Sequence, residues 1–479
     1  MNKLSIHTLA LAIALATTGC LSLAPKLPVA DAAIPGEWPL PPTTQAFTGA
    51  APAGEGAATV STVAVADIGW QDFFADPNLE TLVGRALENN RDLRVAVLNV
   101  EKARAQYRIQ RADRVPAVGV SAQLQRTGGD NQAVVDQYTA GVGITNFELD
   151  LFGRVRNLSQ SALQRYFAEE QARRSAQLSL ISEVANAYLT LAADRELLSV
   201  SEATLKNQQS AYELTQKRRE LGAVSGLEVS QARTQVEQAR ADAARYAGQV
   251  AQDINALNLL VGEPVDPALL PQRLTGDVSG IAALPSGLPS EVLLRRPDVL
   301  QAEHLLRAAN ANIGAARAAF FPSISLTGLF GSASGELSGL FDANTRAWSV
   351  NPVVSIPIFQ GGKLRAGLDS AKADQQIALA QYEKAIQAGF RDVADALALT
   401  TTLAEQRQAQ EALVEAAARA DELSTARYKA GRDSYLNQLD AQRTLYAAQQ
   451  GLVTTRLNEQ INRVTLYKVL GGGWNERSQ

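Results

Sequence analysis

Few side chains in this 479-residue sequence are of the kinds that do chemistry at neutral pH, and they are scattered. Cys20 is the only cysteine, Met1 the only methionine, and His7 and His304 the only histidines. One cysteine per chain allows no intrachain disulfide and no Cys-zinc site, and two distant histidines make no metal cluster. A Ser-His-Asp triad would need His304, which sits in Leu300-Gln-Ala-Glu-His-Leu-Leu-Arg307, a helical pattern with no nucleophile motif beside it. It reads as a helix-surface or interface histidine. That leaves carboxylates. Glu148 and Asp150 stand near Arg154 at the end of a strand-like run, where they sort lipid from water rather than serve as acid and base. Leu436, Asp440 and Arg443 step by 4 and 3 and therefore share one helix face. No catalytic residue, no cofactor and no metal site is expected. A net charge of −4 gives no electrostatic footprint for nucleic acid. With 20% charged and 46% hydrophobic residues, the chain is neither disordered nor a polytopic helical membrane protein.

The first element is an address label. Lys3 gives a basic start, Leu9 to Ala16 is apolar, and Thr17-Thr18-Gly19-Cys20 follows. Eight apolar residues are too few to span a bilayer, which takes ~20, so residues 1–19 read as a secretory signal peptide. A small residue before a lone cysteine resembles the bacterial lipobox, although Thr17 stands where leucine is usual. The expected lipidation site is Cys20, as a palmitate-type lipoprotein anchor; the alternative is an incidental cysteine near a signal-peptidase site. Leu21, not aspartate, follows Cys20, which in enteric bacteria implies delivery to the outer membrane. Residues 20–67 are rich in Pro, Ala, Gly and Thr and read as an extended, lipid-anchored tether.

Beyond it the chain is written twice. An offset of 206 aligns Asp92 with Asp298, Arg111 with Arg317 and Pro116 with Pro322. An offset of 209 aligns Leu214 with Leu423, Arg218 with Arg427, Gly222 with Gly431 and Leu227 with Leu436. The first repeat covers 68–262 and the second 298–470, joined by a Pro-rich linker, 263–297, and followed by a tail, 471–479. Each repeat opens with a helix, expected over Pro77 to Arg114 and Asp298 to Ala319, and a proline ends it. Two strands follow, with apolar and polar residues alternating. They are expected from Val118 with a return over Tyr138 to Leu149, and over Pro322 to Gly328 with a return over Val354 to Phe359. Very long helical stretches come next. Arg154 to Leu221 has neither proline nor glycine, and Lys363 to Ala430 has no proline. At 1.5 Å per residue each makes a rod of ~100 Å. Stripes such as Leu178, Ile181, Val184, Tyr188, Leu191 and Leu379, Tyr382, Ile386, Phe390, Val393, Leu397 are spaced for coiled-coil packing. Tight turns at Gly222 and Gly431 lead into second helices, Leu227 to Leu260 and Tyr435 to Leu470. Gly471-Gly-Gly-Trp474 follows a helix and lacks the Lys-Ser/Thr of a phosphate loop, so it is a helix stop.

Four greasy-faced strands cannot close a barrel, and an open sheet in lipid would leave its edge amides unpaired. The strands must be pooled between chains; two chains give a plugged tube and three give room for a pore. Here the resemblance is specific. Arg111-Ala-Asp-Arg-Val-Pro116, Phe147-Glu-Leu-Asp-Leu-Phe-Gly-Arg154, Arg295-Arg-Pro-Asp298, Ile313-Gly-Ala-Ala-Arg-Ala-Ala-Phe-Phe-Pro322, Leu439-Asp-Ala-Gln-Arg443 and Leu470-Gly-Gly-Gly-Trp474 resemble the TolC-family outer-membrane efflux channels, in the lipoprotein branch with OprM and OprJ. The resemblance implies a mainly α fold with a membrane β-barrel: a homotrimer whose 12-stranded barrel of transmembrane β-strands continues as a periplasmic α-helical tunnel. It implies a passive conduit, not an enzyme, in a tripartite multidrug or antibiotic efflux system. Its partners would be a periplasmic adaptor (membrane fusion) protein, an inner-membrane pump of the resistance-nodulation-division (RND) type, and outer-membrane lipids. It also implies that Leu436, Asp440 and Arg443 constrict the periplasmic entrance as a gate; repeat one has Leu227, Gln231 and Thr234 there. Export of copper or silver is the alternative within the family, although the expected mature chain has no methionine and no cysteine besides Cys20 to serve as soft ligands. A periplasmic adaptor lipoprotein is the alternative of another class, but typically carries one helical hairpin rather than two.

Overall fold

The computed structural model describes residues 22–31, 34–36, 38, 68–274, 276–278, 290–473 and 477. Cys20, His7, the signal peptide, most of the tether and Trp474 lie outside the described residues. The two repeats fold into matching elements. Repeat one has α1 (Trp70–Phe73), α2 (Pro77–Asn89), α3 (Arg91–Ala112), β1 (Val118–Gly129), β2 (Gln132–Leu149), α4 (Arg154–Glu220) and α5 (Gly226–Val261). Repeat two has α6 (Pro297–Ala318), β3 (Ser323–Ser334), β4 (Arg346–Ser355), α7 (Lys363–Lys429) and α8 (Tyr435–Val469). The pairs α3 and α6 have 22 residues each, and α4 and α7 have 67 each. No described helix is long and apolar enough to cross a membrane.

The described residues form two compact units, one of those within 1–32, 97–172 and 298–385, the other of those within 33–96, 173–297 and 386–479. The first holds the sheet, an antiparallel run in the order β1-β2-β3-β4. Val120 pairs with Val142, Val142 with Phe330, and Phe330 with Trp348, so these four share a face. Val118, Leu124, Tyr138, Ile144, Leu326, Val350 and Val354 lie on that face by the same register. Gly119, Ser121, Gln123, Thr139, Gly141, Ser325, Thr327, Ser349 and Asn351 lie on the other, which is mostly small and polar. A slip of one residue would exchange the faces. One bulge does this locally. Between Ile144 and Phe147 the register shifts, with Asn146 at φ 52° and its N–H donating to Thr327 Oγ1 at 3.1 Å. The extra residue returns Phe147 and Leu149 to the apolar side, opposite Leu326 and Ile324.

The same unit packs α6 against its long helices. His304 Nδ1 donates to Gln164 Oε1 at 2.8 Å, and Asn310 accepts from Gln375. Phe321 stacks on Phe152 with centroids 4.7 Å apart. Residues 22–31 lie along this unit: Pro25 O accepts from Asn310, Leu23 O from Arg317, and Ser22 donates to Asn157.

The second unit buries the stripe Leu178, Ile181, Val184, Tyr188 and Leu191 of α4, each at most 5% exposed. Burying such side chains is worth roughly 1.5–3 kcal/mol each. Tyr467 stacks on Phe73 at 3.8 Å, and its hydroxyl donates to Ile68 O at 2.7 Å. Phe390 of the other stripe stacks on Trp38. The segment after α5 is held at Val278, whose N–H donates to Gln460 and whose carbonyl accepts from Ala75.

Two expectations need correction. The helix expected over Pro77 to Arg114 is two helices, broken at Asn90. Asn90 is extended (ψ 131°), its Oδ1 accepts from Leu93 N–H, and its Nδ2 donates to Leu260 O. It ends one helix and caps the next. The return strand expected at Val354 to Phe359 is β4, Arg346–Ser355. Pro357 cannot donate to a ladder, and the alternation of Ile356, Ile358 and Phe359 continues after pairing has stopped.

Candidate functional site

Both long hairpins turn in the same way. At Gly222 (φ 72°) Ala223 N–H reaches Arg218 O, and at Gly431 (φ 70°) Arg432 N–H reaches Arg427 O. Each is a Schellman stop, for which the left-handed glycine is suited. Ser225 then caps α5 by accepting from Glu228 N–H, and Ser434 caps α8 by accepting from Asn437 N–H. Arg427 pairs with Asp433 at 3.2 Å. The Asn437 amide, then the Ser434 N–H, then Arg427 hold the Asp433 carboxyl below the usual range.

Leu436, Asp440 and Arg443 lie on the first turns of α8, and all three are exposed. Leu436 is 59% exposed, and Leu227, its counterpart in repeat one, 66%. Arg443 Nε donates to Gln235 Oε1 of α5 at 3.1 Å. No ion pair joins Asp440 to Arg443, and the Asp440 carboxylate takes no hydrogen bond from a described residue. The arrangement is an exposed leucine, an acid without a partner among the described residues, and a base held by a neutral amide.

Beneath that face lies a cluster absent from the sequence reading. Ala232, Tyr435 and Leu439 are buried against Tyr212 and Tyr428. Arg218 Nη1 donates to Tyr428 OH at 3.0 Å, with the guanidinium 5.3 Å from the ring centroid. A polar ladder continues along α8: Gln442 accepts from Gln208, Tyr446 OH meets Ser201 Oγ at 2.8 Å, and Gln450 donates to Tyr246 OH. The spacing of 442, 446 and 450 was available as a signal; the partners, some 204 to 245 positions earlier, were not.

The other candidates are structural. Arg154 forms a forked ion pair with Glu148, with Nε to Oε1 at 2.8 Å. Asp150 accepts from Val155 N–H and, at 2.7 Å, from Arg156 N–H, satisfying free amides of the first turn of α4. Burial, with Arg307 adding to it, lowers the pKa of His304. Among the described residues no group of three or more His, Cys, Asp or Glu could hold a metal ion.

A duplicated helical hairpin carrying a four-stranded sheet with one apolar face defines the class, and comparison with known proteins agrees. The chain belongs to the Outer membrane efflux protein family, which matches residues 82–263 and 288–472. It is 46% identical to the toluene efflux pump outer membrane protein TtgC of Pseudomonas putida, covering 98% of this chain and 96% of that one. It is 42% identical to the outer membrane protein OprJ of Pseudomonas aeruginosa, covering 99% and 98%. Among solved structures, the open-state MtrE outer membrane channel of Neisseria gonorrhoeae matches with a TM-score of 0.84 and 38% identity over 96% of this chain and 100% of that one.

Proposed function

We propose that this protein is the outer-membrane channel subunit of a tripartite efflux pump, a passive conduit that exports drugs and other toxic compounds from the periplasm. The observation that carries it is the sheet, in a member of an efflux family: one face apolar, the other mostly polar, and both edges, β1 and β4, unpaired among the described residues. Exposed edge amides in lipid cost several kcal/mol each, so the edges call for further copies. Three copies pool twelve strands, enough for a water-filled lumen, which makes the functional unit a homotrimer. The relatives' names, among them an antibiotic efflux pump and a toluene efflux pump outer membrane protein, support export of drugs and other toxic compounds. The partners are a periplasmic adaptor and an inner-membrane RND pump.

The chain divides into a signal peptide (1–19), a tether anchored by acylated Cys20 (20–67), two repeats (68–262, 298–470), a linker (263–297) and a tail (471–479). Leu436, Asp440 and Arg443 form the periplasmic gate, with Asp440 meeting Arg443 of a neighbouring copy. Their exposure, and the absence of a partner for Asp440 among the described residues, support that role. Deleting the gene and measuring susceptibility to antibiotics, bile salts and solvents tests the proposal; restoration by the full chain is expected. Sensitivity to copper or silver alone would favour metal export, and unchanged susceptibility to all of them would overturn efflux.

A further inference from the structure

The apolar face of the sheet ends in charge, and at one end only. By register Arg126 and Asp136 follow Leu124 and Tyr138, on the face that carries Val120 and Val142. Arg346, opposite Ser332, is on that face too, one step beyond Trp348. Among the residues of β1 to β4 that share this face, these three are the only charged ones. All three lie at the end where β1 turns into β2 and β3 into β4. The opposite end leads into α3, α4, α6 and α7. With those helices in the periplasm, the charged end is the outer one.

The height fits a lipid headgroup. From Leu149 to Tyr138, less the residue taken up by the bulge, the apolar face runs ~33 Å along β2. At a barrel tilt of ~40° that stands ~25 Å tall, the height of the apolar band in outer-membrane barrels. Tyr138 and Trp348 are then the outer aromatic girdle, and Asp136 and Arg346 stand about 5 Å higher on their strands. Two bases meet one acid there. Asp136 accepts from Nε of Arg126 at 2.6 Å and from Nη2 at 2.8 Å, a fork that fixes the guanidinium and leaves Nη1 for another acceptor. The Arg126 side chain is 67% exposed. The Arg346 guanidinium has no hydrogen bond or ion pair among the described residues. Guanidinium groups match the oxygens of phosphate. We infer that Arg126, oriented by Asp136, and Arg346 bind the phosphates of a diphosphorylated glycolipid of the outer leaflet, whose acyl chains lie along the apolar face below. The inference rests on the barrel reading above and adds a lipid ligand to it. A phospholipid of the inner leaflet would meet the other end of the strands, where this face carries no charge.

The test uses the full chain as its detergent-solubilised oligomer, with bound lipid read by native mass spectrometry. The probes are diphosphorylated lipid A, the same lipid stripped of its phosphates, phosphatidylglycerol and inorganic phosphate. The wild type is expected to bind diphosphorylated lipid A more tightly than the stripped form or phosphatidylglycerol, and inorganic phosphate should displace it only weakly. Arg126→Gln and Arg346→Gln should each weaken that binding about fivefold and together roughly 25-fold, the usual worth of an arginine at an anionic lipid surface. Arg126→Lys with Arg346→Lys should keep most of it. The control Arg419→Gln with Arg432→Gln removes two exposed charges outside the sheet and should bind like the wild type. Conductance in planar bilayers free of the glycolipid shows that each variant has formed its barrel. A conducting wild type with no preference for the diphosphorylated lipid would overturn the site and leave the channel reading standing. Unchanged binding by the double glutamine variant, or an equal loss in the control, would do the same. A wild type that neither conducts nor binds lipid would overturn both.

Discussion

At the scale of the residue, Asp440 and Arg443 show how far spacing carries. Steps of 4 and 3 placed them on one face with Leu436, and the helix Tyr435–Val469 puts all three in solvent. What spacing could not supply is that Arg443 is held by Gln235, 208 positions away, rather than by Asp440. An exposed pair contributes little, about 0–1 kcal/mol, whereas three coupled copies at a narrow, partly dry ring should matter more. Leu436→Ala, Asp440→Ala and Arg443→Ala are each expected to raise single-channel conductance in planar bilayers, and Asp440→Ala with Arg443→Ala to raise it further without loss of the oligomer. Unchanged conductance in all of them would place the constriction elsewhere. A second residue-scale prediction comes from Asp253, whose pKa is pushed up to about 6 by burial and then by Asp194. Its folded value lies above the unfolded one, so its contribution is fully present below about pH 4 and is lost as pH rises through 6. Asp253→Asn should therefore raise the thermal midpoint of the detergent-solubilised protein at about pH 8 and leave it unchanged near pH 4. An equal shift at both would sink the assignment.

At the scale of the element, the helices were legible and the strand ends were not. The expected Arg154 to Leu221 and Lys363 to Ala430 differ from α4 and α7 by one residue, because a run free of proline ends only where Gly222 or Gly431 takes a left-handed turn. Asn90 breaks a helix with no proline or glycine beside it, so its capping role could be read only once Leu260 was in place. The bulge at Asn146 and the end of β4 at Ser355 depend on partners in other strands, which alternation alone does not reveal. The face assignment itself is testable. Phe330→Lys puts a charge on the apolar side, which costs about 2–4 kcal/mol at the bilayer midplane and much less near its rim. Ser349→Lys puts the same charge on the opposite face. The first should deplete heat-resistant oligomer from outer membranes; the second should be tolerated and shift ion selectivity. Equal depletion by both would overturn the face assignment.

At the scale of the whole molecule, the proposed acyl anchor and the strands would be attachments of unequal strength. Acyl chains on one cysteine add about 0.8 kcal/mol per buried methylene, and anchors of this kind fall short of the effectively irreversible insertion of a spanning structure. Each chain contributes four strands, and their apolar face carries Val120, Val142, Phe330 and Trp348 in one row. Repeated around a closed barrel, that row sets the depth of insertion without help from a lipid. The anchor proposed at Cys20 would then hold the chain at the membrane before the barrel closes. Residues 22–31 suit it, since Ser22, Leu23 and Pro25 are tied to Asn157, Arg317 and Asn310 beside the sheet. Cys20→Ala should therefore abolish the acyl mass at the mature N-terminus and slow the appearance of oligomer after a pulse of synthesis. The oligomer that forms should still have three chains and wild-type conductance. Mass spectrometry of the N-terminus and pulse-chase gels read the two effects separately. Oligomer that forms at the wild-type rate would remove the kinetic role from the anchor. Oligomer that forms and then leaks from washed membranes would show that the strands alone do not hold it.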